Sequence, residues 1–347
     1  MKNICLLLIV LTLSSFACAQ KNDDTLFVAH WNVENLFDTT DDPKTSDEEF
    51  LPSGTKEWNG ERLDNKMYNL SRVIRSMNND KGPDLLGVCE VEHQTLLDTM
   101  ITKYLSDKFY KTAYLESLDG RGIDNGIIYD SQKFSLLKVK GHRVDVGGEY
   151  ETRYVLAGIF LFEKTDTIYF FVDHWPSRRG GEDVSEPKRI NAAKTLRSVV
   201  DTILSKNSKS NIIIVGDFND EPTNISITQY LKAQPFFCDS LDHENLPEDF
   251  GTDLFNLSYK AWFDGLGSFK YKDDFNMLDQ VIISKELLVE ERIKYVCNSF
   301  EVYKSYLMVT RTGKFQGAPF PTYGGSRYLG GYSDHYPVTA KFLIKRK

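Results

Sequence analysis

The chain has 347 residues, 41% of them hydrophobic and 27% charged, with a formal net charge of −8. That balance is globular rather than fibrous or disordered. It excludes a protein that holds nucleic acid by bulk positive charge alone, and leaves open a local basic groove or one made attractive by bound cations.

Lys2, the apolar run Ile4 to Leu13 and the small residues ending in Ala17-Cys18-Ala19 read as a signal peptide over residues 1–19. The run is too short to span a membrane. A second reading makes Cys18 a lipid-anchored lipoprotein cysteine, with Ser15 in the place where such signals usually carry leucine. Either way the protein is expected to be exported, periplasmic or secreted. Cleavage leaves Cys89, Cys238 and Cys297. This set is too sparse for a disulfide framework; Cys89 reads as a buried apolar residue, and pairing of Cys238 with Cys297 stays open.

Residues 20–347 read as one domain, with no repeat, heptad or low-complexity linker to divide them. Leu26–Val33 is a first strand, and the acidic, turn-rich segment 41–60 a long surface loop. Residues 41–50 within it admit a Ca²⁺ site or plain solvated charge. Leu63, Met67, Leu70, Val73, Ile74 and Met77 fall on one helical face, which Gly82-Pro83 ends. The apolar strand 84–90 closes on Glu90, and Thr95–Leu105 reads as helix. Strands follow at Gly126–Asp130, Arg153–Phe162 and Thr167–Val172. Ser185-Glu186-Pro187 opens a helix with proline in its first turn. Ile212–Val215 is a buried strand, and Gln280–Ile283 and Val338–Ile344 are late ones. Strands spread along the chain with few helices between them imply packed sheets covered by helices.

Six short stretches fall at strand ends: WNVENLF (31–37), GVCEVE (87–92), VDHWPSR (172–178), GDFND (216–220), MLDQ (277–280) and SDH (333–335). Each alone has an ordinary explanation: Asp217 and Asn219 as turn caps, Glu90 as a solvated strand end, His174 as core, His335 as a surface histidine. Asp279 is odder, because an acid between Leu278 and Val281-Ile282-Ile283 faces uncompensated burial. Together they offer acids, amides and two histidines without clustered cysteines, a donor set suited to Mg²⁺ or Mn²⁺.

These motifs, in this order, resemble the endonuclease/exonuclease/phosphatase superfamily over nearly the whole mature chain. GRGID (120–124) and HWPSR (174–178) are similar to stretches of its secreted bacterial members. The resemblance implies an α/β fold, a four-layer sandwich of two packed mixed β-sheets flanked by helices. It implies metal ligation by Glu90, with Asn32, Glu34 and Asp334 in support. Many relatives have Asp where Glu34 stands. It implies catalytic roles for Asp217 with the attacking water, Asn219 and His174 at the phosphate, and His335 oriented by Asp279. Arg153 resembles a phosphate-contacting arginine of the deoxyribonuclease branch, and Ser177, Arg178 and Arg121 are further substrate contacts.

The expected activity is a divalent-metal-dependent phosphodiesterase, foremost an extracytoplasmic endonuclease on DNA or RNA. Alternatives are a phosphatase or phosphodiesterase for small phosphates, inositol phosphates or phospholipid headgroups, and a noncatalytic binding protein on the same scaffold. Nucleic acid is the expected partner of a monomer with no stable protein partner and no transmembrane segment.

Overall fold

The computed structural model describes residues 24–148, 151–238, 253–289 and 292–345. The expected signal peptide (1–19) and Cys18 lie outside the described residues. No described helix is long and apolar enough to cross a membrane.

The chain opens with β1 (Asp24–Leu36), α1 (Gly60–Asp80), β2 (Leu85–Val91), α2 (Gln94–Tyr104), β3 (Tyr110–Tyr114) and β4 (Asp124–Asp130). There follow β5 (Phe134–His142), β6 (Val155–Phe162), β7 (Asp166–His174), α3 (Glu182–Lys206) and β8 (Asn211–Asp217). Next come β9 (Ala233–Pro235), β10 (Leu254–Asn256), α4 (Tyr259–Phe263), the hairpin β11 (Phe269–Tyr271) and β12 (Asp274–Asn276), and β13 (Asp279–Ser284). The chain closes with α5 (Glu286–Val289), β14 (Ile293–Tyr295), β15 (Glu301–Val302), β16 (Tyr323–Gly324), β17 (Arg327–Tyr328) and β18 (Val338–Ile344).

Two seven-stranded mixed sheets result, ordered β14-β18-β1-β2-β4-β3, with β15 also on β18, and β5-β6-β7-β8-β13-β10-β9. The β1–β2 and β7–β8 pairs are parallel, while β18 runs antiparallel to β1 and β13 antiparallel to β8. Alternation along β8 explains why its apolar run is continuous. Ile213 and Val215 enter the core between the sheets, whereas Ile212 and Ile214 pack with Ala192, Leu196 and Val200 of α3. A strand covered on both faces has no polar side to show. Where β2 crosses β7 and β8 the sheets approach closely. A Cβ on Gly87 would sit 2.6 Å from Val215 and 2.9 Å from Val172.

The Asn59 side chain caps α1 by accepting the N–H of Arg62. Regular helical dihedrals stop at Met77, and Asn78, Asn79 and Asp80 take left-handed ones before Gly82-Pro83. The third helix starts a turn earlier than the sequence suggested, at Glu182, which places Pro187 inside it. The edge strands β3, β5, β9, β14 and β15, and the short inner strand β10, were not read from the sequence; β5, largely exposed, lacks an apolar alternation. Cys238 and Cys297 form a disulfide with their Cα atoms 5.6 Å apart, and Cys89 is free and buried. The loop after β1 is more integrated than a surface loop, since Trp58 packs fully buried with Phe37 and Ile123.

Candidate active site

The parallel strands β1 and β2 end on the edge of the first sheet where β18 begins. The strands β7 and β8 end, and β13 starts, on the matching edge of the second. Every sequence motif lies on one of these ends. Bulges in β1 between Asn32 and Leu36 and in β2 between Cys89 and Val91 interrupt the ladder there. Glu34, Asn35, Glu90 and Asn219 all have positive φ, between 50° and 66°. Such strain in non-glycine residues persists only where surrounding contacts over-determine it, and here it turns side chains out of the pleat.

The contacts converge on one oxygen, Oδ2 of Asp217. Asn32 Nδ2 donates to it at 3.1 Å, His174 Nε2 lies 3.7 Å away and His335 Nε2 3.9 Å. Asn32 Nδ2 also reaches Glu90 Oε1 at 3.3 Å, and the Asn35 N–H donates to Glu90 Oε2 at 2.9 Å. The other Asp217 oxygen, Oδ1, accepts the Asn219 N–H at 3.0 Å, while the Asn219 amide donates to the Trp175 carbonyl at 3.0 Å.

The Ser333-Asp334-His335 turn is locked from several sides. Ser333 Oγ donates to the Asn32 carbonyl and accepts the His335 N–H, and Trp31 Nε1 donates to the His335 carbonyl. His335 Nδ1 lies 2.6 Å from Asp279 Oδ2, which also accepts the Ser268 hydroxyl. The His335 ring packs 4.7 Å from Phe269, at the start of β11.

Burial and neighbouring charge set the protonation states. Burial disfavours a charged His335, but Asp279 and Asp217 outweigh it and hold the imidazole well above its ordinary range. Burial likewise pushes Asp279 upward, yet His335 and His30 bring its carboxyl well below the usual range. Asp217 is raised by burial, opposed by His335 and reinforced by Asp279. His174 is lowered well below the imidazole range by burial and by the charges of Arg153 and Arg121. Asp334 is pushed up to about 7 by burial and then by repulsion from Glu34.

The carboxylates of Glu90 and Asp334 are hard oxygen donors that fit a divalent cation, while the Asn32 amide orients Glu90 through Nδ2 and accepts the Glu34 N–H at Oδ1. Glu90 repels Asp334, a strain that such an ion would relieve. Glu34 is directed elsewhere. Its two oxygens accept the backbone N–H groups of Thr322 and Tyr323, and the buried Lys66 ammonium stands 3.8 Å from it. Lys66 in turn donates to Thr322 Oγ1 and the Tyr332 carbonyl. Arg153 is buried against Asp119 and the Trp175 carbonyl. Arg178 donates to the carbonyl of Asn219 and to Glu182, bracing the β8 turn. Arg121 and Ser177 are exposed.

Sequence reading missed three contributors. His30 is fully buried, with Nε2 3.2 Å from Asp279 Oδ1. Its signal was a lone histidine inside an apolar strand, next to Trp31-Asn32. Ser268 carried no signal, because its partner Asp279 lies beyond a hairpin. Lys66 was hidden as one polar residue beside an apolar helical face. A separate group able to hold a metal ion, Asp38, Glu92 and His93, lies past the ends of β1 and β2.

Three solved structures are similar over nearly their whole length. An endonuclease/exonuclease/phosphatase family protein from Bacteroides thetaiotaomicron aligns with a TM-score of 0.58 and 15% identity, over 94% of this chain and 100% of the other. A mannosyl-6-phosphatase from the same organism gives 0.55 and 15%, over 92% and 100%. A truncated Caenorhabditis elegans TDP2 gives 0.54 and 16%, over 92% and 98%. No curated protein matches the chain. The profile of the Endonuclease/Exonuclease/phosphatase family matches residues 27–345, and with its two mixed sheets and strand-end motifs the chain belongs to that family.

Proposed function

We propose that the protein is a divalent-metal-dependent phosphodiesterase, exported from the cytoplasm, that hydrolyses DNA or RNA internally. The carrying observation is the convergence of Asn32, His174 and His335 on Asp217 Oδ2. An acid facing two imidazoles and an amide donor, beside hard oxygen donors, is a constellation for moving a proton and holding an anion.

Glu90 and Asp334, assisted by Asn32, would hold the Mg²⁺ or Mn²⁺ ion, which supplies charge to offset the phosphodiester and acidifies water. Asp217, its carboxyl raised by burial, is placed to accept the proton of the attacking water. The Asn219 N–H fixes its orientation. His335, kept cationic by Asp279, donates to a non-bridging phosphate oxygen, where charge grows in the transition state. His174, kept neutral, offers an uncharged hydrogen-bonding ring on the other side of Asp217. Glu34 acts in this reading by fastening residues 322–323 rather than by direct ligation.

The nucleic-acid assignment rests on the rim. The hairpin whose Phe269 packs on His335 carries Tyr271, 59% exposed, between Lys270 and Lys272. Exposed aromatic and cationic side chains together suit stacked bases and phosphates. The disulfide is consistent with an oxidising compartment. A second reading, hydrolysis of a small phosphomonoester such as a sugar phosphate, is favoured by the similar mannosyl-6-phosphatase structure.

The test is nicking of supercoiled plasmid with and without Mg²⁺, beside release of phosphate from mannose 6-phosphate and inositol phosphates. Metal-dependent nicking supports the nuclease. Phosphate release without nicking transfers the site to small phosphates, and silence in both assays removes the hydrolase reading.

A further inference from the structure

Past the catalytic ends of β1 and β2 the two strands diverge into a second polar group. One ligand atom each from Asp38, Glu92 and His93 lies within 4.8 Å of the others. Glu92 is 2% exposed, yet no lysine or arginine ion pair among the described residues includes it, Asp38 or Asp47. The His93 ring instead pairs with Glu116. Buried like charges without a counter-ion are costly.

The arrangement of committed and uncommitted atoms is regular. Glu92 Oε2 accepts the Asp38 N–H at 2.6 Å, and Asp38 Oδ1 accepts the Thr40 N–H at 2.6 Å. His93 Nδ1 is 2.9 Å from Glu116 Oε1. Each group therefore keeps one atom: Glu92 Oε1, Asp38 Oδ2 and His93 Nε2. A histidine whose second nitrogen is held by a carboxylate is the usual state of a metal-bound imidazole.

A fourth group adds an independent indication. Asp47, in the loop that follows β1, is 1% exposed, and its Oδ1 has no hydrogen-bond partner among the described residues. Its other oxygen accepts the Asp42 N–H. Asp47 lies near enough to act repulsively on the Glu92 carboxylate, as Asp38 does. An almost wholly buried, unpartnered carboxylate oxygen beside two further acids calls for a cation.

We propose that Asp38, Glu92 and His93 hold a second divalent cation, with the buried Asp47 carboxylate beside them adding negative charge, separate from the site at Glu90. Carboxylates with one imidazole suit Mn²⁺, which accepts both donor types. A bound ion would tie the acidic loop around residues 38–47 to the end of β2. The site stands apart from the hydrolase reading, since none of these four residues belongs to the catalytic set.

The test is a titration of the full chain with Mn²⁺, followed by the electron paramagnetic resonance signal of the free ion. The expected result is a second bound ion besides the catalytic one. Asp38→Asn combined with Glu92→Gln removes that ion and leaves the one lost in Glu90→Gln. If the double variant loses its near-ultraviolet circular dichroism, Glu116→Gln, altered at a more exposed side chain, serves instead and weakens the second ion by roughly 10–100-fold. Retention of every ion in a folded Asp38→Asn/Glu92→Gln chain, or in Glu116→Gln when that variant replaces it, overturns the proposal. So does a wild-type chain whose bound Mn²⁺ vanishes entirely with Glu90→Gln.

Discussion

Asp279 Oδ2 lies 2.6 Å from His335 Nδ1, joining the second sheet to the first at the floor of the site. The pair makes His335 a cation at neutral pH despite its burial. Asp279→Asn should therefore lower turnover by about 10²–10³, the effect typical of losing one transition-state donor. It should also move the alkaline limb of the pH–rate profile to lower pH, because the imidazole then loses its proton earlier. An unmoved limb in the variant would remove His335 from the role of cationic donor to the phosphate.

The same pair sets a stability window. His335 has a raised folded pKa, so its contribution is complete below about 6.5 and fades as pH rises through the elevated value. Asp279 has a depressed one, so its contribution is present above about 3.9 and fades as pH falls through the depressed value. The melting-temperature gap between wild type and Asp279→Asn should be widest between about pH 4 and 6.5 and close toward both extremes.

Asp217→Asn removes the proton acceptor but keeps the shape and the contact to the Asn219 N–H. Turnover of a phosphodiester substrate should fall about 10³-fold, with a melting temperature no lower than wild type, because a buried acid of raised pKa is replaced by a neutral amide. Activity within tenfold of wild type would reassign the base.

Asp173 reports on burial without catalysis. Its Oδ1 accepts Trp175 Nε1, its Oδ2 has no partner, and burial pushes its carboxyl up to about 7. A raised acid destabilises the fold as pH rises from its unfolded value through about 7. Asp173→Asn should accordingly raise the melting temperature at pH ~8 and change it little at pH ~4, where the folded carboxyl is protonated and the unfolded one only about half ionised. Equal shifts at both values would point to packing instead of charge.

Glu34→Gln separates anchoring from ligation. Glu34 accepts two backbone N–H groups, and an amide in its place satisfies only one of them. The expected loss is about 1–3 kcal/mol for the orphaned buried donor, with faster hydrogen exchange at Thr322 and Tyr323. Unchanged exchange together with a large fall in Mg²⁺ affinity would return Glu34 to the ligand set.

The candidate site was legible because the residues proposed for it lie in short motifs at strand ends, where a few polar residues interrupt apolar runs. Asn32, Glu90, His174, Asp217, Asp279 and His335 all stand out that way. His30 and Lys66 did not, because each is a single polar residue whose partner lies far along the chain; Lys66 reaches Thr322 and Tyr332. Glu34 and Arg178 looked like active-site groups by position, yet backbone strain at Glu34 and the turn after β8 direct them to neighbouring main chain. The inner strands followed from apolar runs. Exposed edges such as β5 left no pattern to read, and Cys238 with Cys297 needed three-dimensional proximity.

Neither half of the sandwich owns the complete proposed catalytic set. Asn32, Glu90 and the turn that carries Asp334 and His335 into β18 belong to one sheet, and His174, Asp217, Asp279 and the turn that carries Asn219 out of β8 to the other. Reactivity is thus a gauge of how the halves are aligned. A wedge deep between them, such as the methyl of Gly87→Ala pressing on Val172 and Val215, would detune the chemistry from a distance, leaving every reacting group in place on its own strand.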